Sequence, residues 1–322
     1  MLIPTHARPE AIARCVDALA RHPDPDARVE VLVGIDGPDQ GETRALEGVR
    51  AGLDLQVLDA PHAGPAATRN RLVEHARGRL LLLLNDDVIP QPGLLHAHLE
   101  AHARRVAPAM VLGSAPFAPT PRDSLFDRLV RETSMIFFYD RMSDEDPARD
   151  WGFRHAWTLN LSLPAACVRA VGGFCEALPG AAYEDIELAW RVRERFGAPV
   201  LYRPEARVIH EHTYEPEGYL RREESLGRDA WALAMANPAC ALELFGRDIT
   251  DEAEIEYSAQ FVDRERAGTE RLRATFSAWA RLPADAAPDA LIPALYEHHL
   301  ALKRWHWRRG HLAAARSCAQ SV

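Results

Sequence analysis

An unbroken run of five leucines at residues 80–84 places the strongest constraint on how this chain folds. A short apolar run that ends at polar residues is typical of a strand buried on both faces of a parallel sheet. Asn85, Asp86 and Asp87 follow directly, at the carboxyl end of the strand, where such sheets bind ligands. Two adjacent carboxylates repel each other, and a divalent cation would relieve that repulsion. The alternative is a solvated loop whose carboxylates cap the next helix.

Composition and charge narrow the class of protein. With 322 residues, 47% of them hydrophobic and 26% charged, the chain has the make-up of a soluble globular protein. A formal net charge of −9 argues against nucleic acid as the main partner, because nucleic-acid binders carry a basic footprint. The sequence contains neither an apolar run of the roughly twenty residues that span a bilayer nor a secretory signal. Five scattered cysteines without a CxxC spacing favour reduced thiols in a cytoplasmic protein.

The first two-thirds of the chain alternate short apolar runs with amphipathic segments, which predicts βαβ units. We predict strands at residues 2–3, 29–35, 53–58, 80–84, 109–112 and 156–163, and extended segments at 199–202 and 207–209. We predict helices at residues 9–21, 42–49, 64–78, 92–104 and 184–196. Residues 116–151 are less regular, as in many lids and substrate loops. From about residue 219 the sequence is helical, with a break at 283–288.

The helix predicted at 184–196 carries a carboxylate in an unusual position. On a helical wheel Asp185 falls in the middle of the apolar arc, whereas Glu184 and Glu187 fall on the solvated arc. An inward carboxylate at a helix start is either an N-cap or a placed functional group. The helix dipole would favour its ionised form, as a catalytic base requires. Asp185 is therefore the candidate base, and Glu184 is the weaker candidate.

Two histidines flank Glu211 at the end of an extended segment. Residues two apart share one face of a strand, so the imidazoles of His210 and His212 could reach the same site. Together with Asp87, either one would form a mixed oxygen and nitrogen site that suits manganese better than magnesium. An inert surface His-Glu-His is the alternative.

Two further segments lie where a nucleotide could bind. Asp36 and Asp39 follow the second strand, where they could accept hydrogen bonds from a base or ribose or could build the turn. Turn formation is the favoured role for Asp39. Residues 64–70 lead into a helix N-terminus, which can hold phosphate oxygens. This segment is neither a Walker loop, because the lysine is missing, nor a GxGxxG fingerprint.

Five short motifs complete the pattern: PTHARPE at 4–10, GPAATRN at 64–70, NDDxxP at 85–90, GGF at 172–174 and EDxELxWR at 184–191. In this order the chain resembles family 2 glycosyltransferases over about residues 1–215. The resemblance implies an α/β fold of GT-A type, with a Rossmann-like, mostly parallel sheet sandwiched by helices. The nucleotide-sugar half would be about 1–115 and the acceptor half about 116–215. Residues 216–322 would form a helical C-terminal extension.

The resemblance also implies roles for individual residues. Asp185 would be the catalytic base, and Asp87 and His210 would bind a divalent cation, Mn²⁺ more readily than Mg²⁺. The nucleotide-sugar pocket would be lined by Pro4, Thr5, Arg8, Asp36, Arg69 and Asp86. Two departures bear on donor identity: Asn85 replaces the first aspartate of the usual DxD triplet, and Ile35 replaces the first residue of an acidic pair.

The expected function is inverting transfer of a sugar from a nucleotide-diphosphate sugar to the hydroxyl of a carbohydrate, lipid-linked or small-molecule acceptor. A sugar nucleotidyltransferase is one alternative, although the glycine-rich basic loop after the first strand is missing. A non-catalytic nucleotide-sugar-binding protein is the other, left open by Asn85. The basic-aromatic segment 303–309 favours a helix packed on its own domain over peripheral contact with the inner face of a membrane.

Overall fold

The computed structural model describes residues 1–22, 28–49, 52–120, 122–143, 145–178, 180–285 and 287–320. The chain forms two compact units. The first comprises Met1–Ala118 and Met142–His212, and the second comprises Pro119–Arg141 and Thr213–Val322. Every strand described below belongs to the first unit.

The first unit is built on an eight-stranded mixed sheet in the order β3-β2-β1-β4-β7-β6-β8-β5. The strands are β1 (Leu2–Thr5), β2 (Glu30–Asp36), β3 (Asp54–Ala60), β4 (Leu80–Leu84), β5 (Val88–Pro90), β6 (Met110–Ser114), β7 (Asn160–Pro164) and β8 (Val200–His210). Strands β3, β2, β1 and β4 run parallel, β7 runs antiparallel to β4 and β6, and β5 runs antiparallel to β8. The carboxyl ends of β1, β2 and β4 therefore meet at one edge.

The helices are α1 (Pro9–Arg21), α2 (Glu42–Glu47), α3 (Pro65–His75), α4 (Leu94–Ala103), α5 (Leu125–Glu132), α6 (Ala165–Ala170), α7 (Glu184–Phe196), α8 (Pro216–Ala236), α9 (Pro238–Phe245), α10 (Glu252–Ala280) and α11 (Leu291–Gln320). Helix α5 and helices α8 to α11 belong to the second unit. Among the described residues, none of these helices combines the length and apolar character that a membrane span requires.

The strongly patterned elements agree closely with the sequence prediction. Helices α1 and α7 and strand β4 have the predicted bounds, and residues 81–84 are buried. Weaker signals were misjudged. The two extended segments near residues 199–209 are one strand, β8, and the three-residue strand β5 is too short to leave a periodic signal. The irregular stretch 116–151 contains helix α5, whose start is stabilised by a capping box between Ser124 and Asp127.

The helical-wheel assignment is wrong for two acidic residues of α7, Glu184 and Glu187. Glu184 and Glu187, expected on a solvated face, are 3% and 2% exposed. Arg69 lies 2.8 Å from Glu184, and Arg191 donates to Glu187 at 2.7 Å. A wheel assigns faces from hydropathy alone, whereas a paired arginine makes a buried carboxylate tolerable, supplied by α3 for Glu184 and by the next turn of α7 for Glu187.

A tight turn before α7 locks that part of the unit to α3. Gly173 has a φ of +78°, and an added Cβ would lie 2.4 Å from Asn70 Oδ1, so only glycine fits. Asn70 accepts from the Phe174 N–H at 2.7 Å and donates to the Phe174 carbonyl at 2.9 Å. The GGF and GPAATRN motifs thus form one structural junction.

Candidate functional site

Two acidic side chains that follow β4 share one arginine. Arg8 Nη1 lies 3.1 Å from Asp86 Oδ1 and 3.0 Å from Asp87 Oδ2. Thr5, the last residue of β1, donates its hydroxyl to Asp86 Oδ2 at 2.8 Å, and Pro4 precedes it as a half-buried strand residue. The adjacent ends of β1 and β4 therefore assemble four of the predicted nucleotide-sugar residues beside a predicted metal ligand.

Asp87 also faces two imidazoles at the end of β8. His210 Nε2 lies 3.4 Å from Asp87 Oδ1, and His212 Nδ1 lies 3.1 Å from Asp87 Oδ2. His210 is 4% exposed and stacks on Phe117, with ring centroids 4.6 Å apart. The ligand atoms of Asp87 and both histidines lie within 4.8 Å of one another.

This group of side chains has the donor chemistry of a divalent cation site. One carboxylate and two imidazoles supply oxygen and nitrogen ligands, and imidazole suits manganese better than magnesium. The Arg8 side chain, which is 45% exposed, balances the two carboxylates in this structure. Asp87 and His210 thus fit the metal-binding role that the resemblance implies, and His212 joins them.

The two neighbouring carboxyls differ in their pKa. Burial and the charge of Asp87 raise the pKa of Asp86, against the opposing effects of Arg8 and Thr5. Burial also acts to raise the pKa of Asp87, but the hydrogen bonds from His210 and His212 outweigh it and hold that pKa well below its usual range. Asp87 is therefore the carboxyl of this pair that stays ionised most firmly.

A buried ion pair joins helices α3 and α7. Arg69 Nη1 lies 2.8 Å from Glu184 Oε1, and both residues are almost fully buried. Arg69 Nη2 also donates to Asn85 Oδ1 at 3.4 Å, and the guanidinium carbon lies 5.6 Å from the centre of the Phe174 ring. Burial and the charge of Asp185 raise the pKa of Glu184 to about 7, against the pull of Arg69. Arg69 therefore links the start of α7 to the loop after β4.

Asp185, the predicted base, lies half-buried in the first turn of α7. Its Oδ1 accepts from the Ile186 N–H at 2.8 Å, and its Oδ2 accepts from the Thr158 N–H at 3.3 Å. Burial raises the pKa of Asp185, against the charge of Arg69 and these two N–H donors. Tyr183 occupies the N-cap position, so capping does not account for Asp185. The carboxylate is held in a defined orientation where the helix dipole favours its charge.

Asp36 is the last residue of β2, and backbone N–H groups hold its carboxylate in place. Its carboxylate accepts from the N–H groups of Ala63 and Gly64, at 2.8 and 3.1 Å. Gly64 precedes helix α3, so Asp36 adjoins the segment predicted to hold phosphate oxygens. Asp39, by contrast, accepts from the Gly41 N–H at 2.9 Å and builds the turn, as the sequence favoured.

Sequence reasoning missed three contributors to these contacts. Glu184 was assigned to solvent, and neither His6 nor His62 was singled out. His62 Nδ1 lies 2.9 Å from Asp36 Oδ2, and the rings of His6 and His62 are 4.7 Å apart between centroids. His6 lies inside the PTHARPE motif and His62 lies just before GPAATRN, which was the available signal. A single loop histidine, however, has no periodicity that could have marked it.

The basic-aromatic segment 303–309 lies in α11, within the second unit. Trp305 is buried and donates its indole N–H to the Val262 carbonyl at 3.0 Å. Arg308 is also buried and lies 2.8 Å from Glu254. These contacts match the interpretation of a helix packed on its own domain.

A family model described as glycosyl transferase family 2 matches residues 1–156. The validoxylamine A glucosyltransferase of Streptomyces hygroscopicus subsp. limoneus is 30% identical over 238 residues, which cover 67% of this chain and 52% of that protein. The pre-mycofactocin glycosyltransferase of Mycobacterium tuberculosis (strain CDC 1551 / Oshkosh) is 30% identical over 206 residues, which cover 59% of this chain and 39% of that protein. The chain thus spans about half, or less, of the length of these relatives.

Solved structures share the fold. S. aureus TarS 1–349 aligns with a TM-score of 0.54 at 15% identity, covering 100% of this chain and 91% of that chain. The mannosyltransferase PcManGT from Pyrobaculum calidifontis, solved with GDP-Man and Mn²⁺, aligns with a TM-score of 0.55 at 16% identity, covering 98% and 85%. The match shows that residues 1–156 of this chain belong to glycosyl transferase family 2, and the fold agrees with that of these solved structures.

Proposed function

We propose that this protein is an inverting glycosyltransferase that moves a sugar from a nucleotide-diphosphate sugar to an acceptor hydroxyl. The observation that carries the proposal is a connected set of contacts at the carboxyl edge of the sheet. Arg69 joins Glu184, the neighbour of Asp185, to Asn85, and the next two residues face Arg8 and two histidines. The proposed base and the proposed cation site are thus connected by side-chain contacts between the family 2 match, residues 1–156, and residues 184–212.

The donor's diphosphate is assigned to the Asp87 site. Asp87 and His210, joined by His212, would hold a divalent cation, with Mn²⁺ favoured by the imidazole ligands. The bound cation would supply positive charge to the diphosphate, which leaves as an anion. Arg8 is half-exposed, so its side chain can exchange its contacts with the carboxylates for contacts with the donor.

The nucleoside and sugar are assigned to the neighbouring carboxylates. Asp36, fixed by two backbone N–H donors, would accept hydrogen bonds from the base or ribose. Asp86, fixed by Thr5, would accept from the ribose or the sugar. Proteins of this fold support the donor class: TarS was solved in complex with UDP-GlcNAc, and PcManGT in complex with GDP-Man.

Asp185 is assigned the role of general base. Its carboxylate would take the proton of the acceptor hydroxyl as that oxygen attacks the anomeric carbon, and the sugar's configuration would invert. The two backbone N–H groups that orient it leave the remaining lone pairs of the carboxylate for this proton. Glu184 and Arg69 act as positioning residues, because they hold the start of α7 against the loop after β4.

A donor screen followed by a transfer assay tests the proposal. A panel of nucleotide sugars is scored for thermal stabilisation with and without Mn²⁺, because a ligand that binds only the folded state raises its stability. The stabilising donor is then incubated with carbohydrate, lipid-linked and small-molecule acceptors. Transfer with inversion at the anomeric carbon supports the proposal. Donor binding without transfer to any acceptor contradicts it, as does release of pyrophosphate from a sugar phosphate and a nucleoside triphosphate.

The location is proposed to be cytoplasmic, with residues 303–309 packed on their own domain and peripheral contact with an anionic membrane surface as the alternative. Arg304 and Arg309 are exposed on α11, but Arg304 donates to the Tyr257 hydroxyl at 2.6 Å and Arg309 is paired with Glu224. Sedimentation with anionic and with neutral liposomes tests this part. Equal recovery in the two supernatants would support the packed helix, and selective loss to the anionic pellet would support the membrane contact.

A further inference from the structure

A second group of one aspartate and two histidines lies beside the Asp87 site. His6 follows β1, Asp36 ends β2 and His62 follows β3, so three adjacent strands each contribute one side chain. His62 Nδ1 lies 2.9 Å from Asp36 Oδ2, and His6 Nδ1 contacts the Asp36 carbonyl. The ligand atoms of all three residues lie within 4.8 Å of one another.

The surroundings of Asp36 resemble those of a metal-binding carboxylate. Asp36 is 5% exposed, and the N–H groups of Ala63 and Gly64 fix its orientation, as hydrogen bonds from neighbouring groups do for metal ligands. The side chain of His62 is 62% exposed and His6 is also exposed, so a cation can reach the group from solvent. Two imidazoles and one carboxylate with an open position are the ligand set of many zinc sites.

We propose that His6, Asp36 and His62 form a second cation site, for a transition metal of the Zn²⁺ type, and that its occupation opposes nucleotide binding. The first claim stands on the geometry alone. The second claim rests on the proposed function, in which Asp36 accepts hydrogen bonds from the base or ribose. The Asp36 carboxylate already accepts two backbone hydrogen bonds, so a cation and a nucleotide would compete for its remaining lone pairs.

Titration with Co²⁺, a spectroscopic substitute for Zn²⁺, tests the site without any activity assay. We expect two bound equivalents in the wild type, each with visible ligand-field absorption. His62→Ala and His6→Ala should each leave one equivalent, as should His212→Ala, which removes a ligand of the other site. His96→Ala is the matched control, because His96 is an exposed histidine on α4, and it should retain two. Unchanged stoichiometry and affinity in both His62→Ala and His6→Ala would overturn the site.

Nucleotide affinity with and without Zn²⁺ tests the competition. The measurement uses Asp87→Ala, in which a cation can no longer tighten nucleotide binding at the Asp87 site. With Zn²⁺ at ten times its dissociation constant, simple competition raises the apparent Kd of the nucleotide about tenfold in this variant. The same addition should leave the Kd unchanged when His62→Ala is added to Asp87→Ala. A Kd in Asp87→Ala that does not respond to Zn²⁺ would overturn the competition. If no nucleotide binds under any condition, the proposed function fails, while the Co²⁺ stoichiometry still decides the second cation site.

Discussion

Two pairs of neighbouring carboxylates, at residues 86–87 and 184–185, carry the proposed chemistry, and each pair is balanced by an arginine. In the 86–87 pair, Arg8 touches both carboxylates and is 45% exposed. In the 184–185 pair, Arg69 contacts Glu184 and its side chain is 5% exposed. A half-exposed arginine can leave when a cation or donor arrives, whereas a buried arginine is a permanent part of the fold. The first pair is therefore suited to exchange of ligands and the second to holding a base in position.

The largest expected effect is on transfer, from Asp185→Asn. An amide of the same shape cannot take the acceptor's proton, so we expect the rate of transfer to fall about 10²- to 10⁴-fold. Donor affinity should stay unchanged, because Asp185 is not assigned a donor contact. Transfer kinetics and calorimetric titration of the donor measure the two quantities. Glu194→Gln, an exposed change on the same helix, is the control. Near wild-type transfer by Asp185→Asn would exclude Asp185 as the base.

The contrast between the two arginines predicts different costs in stability. At a pH above 7, where Glu184 is ionised, Arg69→Ala leaves it as a buried, unpaired carboxylate, which should lower the free energy of unfolding by about 3–5 kcal/mol. Arg8→Ala removes a half-exposed arginine from two carboxylates, of which Asp87 also faces two histidines, and should cost less, about 0–1 kcal/mol. Urea unfolding followed by circular dichroism measures both variants. Equal costs would show that the two arginines do not differ in the way proposed.

The effect of a metal ion on donor binding further distinguishes the carboxylate pair 86–87 from the pair 184–185. In the wild type we expect Mn²⁺ to tighten donor binding by about 5- to 150-fold, the usual range of coupling between two ligands. Asp87→Ala should abolish this effect, because it removes the carboxylate that both histidines face. Asp39→Ala, which changes only a turn carboxylate, should keep it. A donor affinity in Asp87→Ala that still responds to Mn²⁺ would contradict the metal assignment.

The smallest expected effect is on how the free energy of unfolding depends on pH. Burial and the charge of Asp185 raise the pKa of Glu184 to about 7, above its ordinary value of 4.5. Between these two values folded Glu184 binds more protons than unfolded Glu184, so its own contribution to the free energy of unfolding should fall as the pH rises from about 4.5 to 7. Glu184→Gln should remove this contribution and so change the slope of stability against pH over this range. Urea unfolding at a series of pH values measures it, and an identical slope in the variant would contradict the assignment.

Much of the fold was predictable because the relevant signals are local. Five leucines in a row define β4, and the apolar spacing within residues 9–21 defines α1 with its observed bounds. The motifs placed Asp87 after β4 and Asp185 at the start of α7, and the predicted extended segment placed His210 at its end, where the structure has them. Strand β5 and the start of α5 escaped prediction because three residues, or one capping box in an irregular stretch, carry little periodicity.

Contacts between distant segments were not predictable. Hydropathy placed Glu184 in solvent, but in the structure it is buried in an ion pair with Arg69, which lies 115 residues earlier in the chain. The repulsion between the carboxylates after β4 was foreseen, yet the sequence did not show that Arg8 relieves it here. Charge pairing depends on which segments meet, and a linear pattern does not contain that information.

The sequence by itself determined the strongly patterned elements, the family motifs and the order in which chemistry-bearing residues follow the strands, because periodicity and turn chemistry act over a few residues. Only the tertiary structure decided which side chains contact one another. It gave Asp185 a buried neighbour in place of a solvated one, joined both His210 and His212 to Asp87, and brought His6 and His62 to Asp36. The physical reason is that burial and Coulomb energy depend on distances across the sheet, which exist only once the strands have paired.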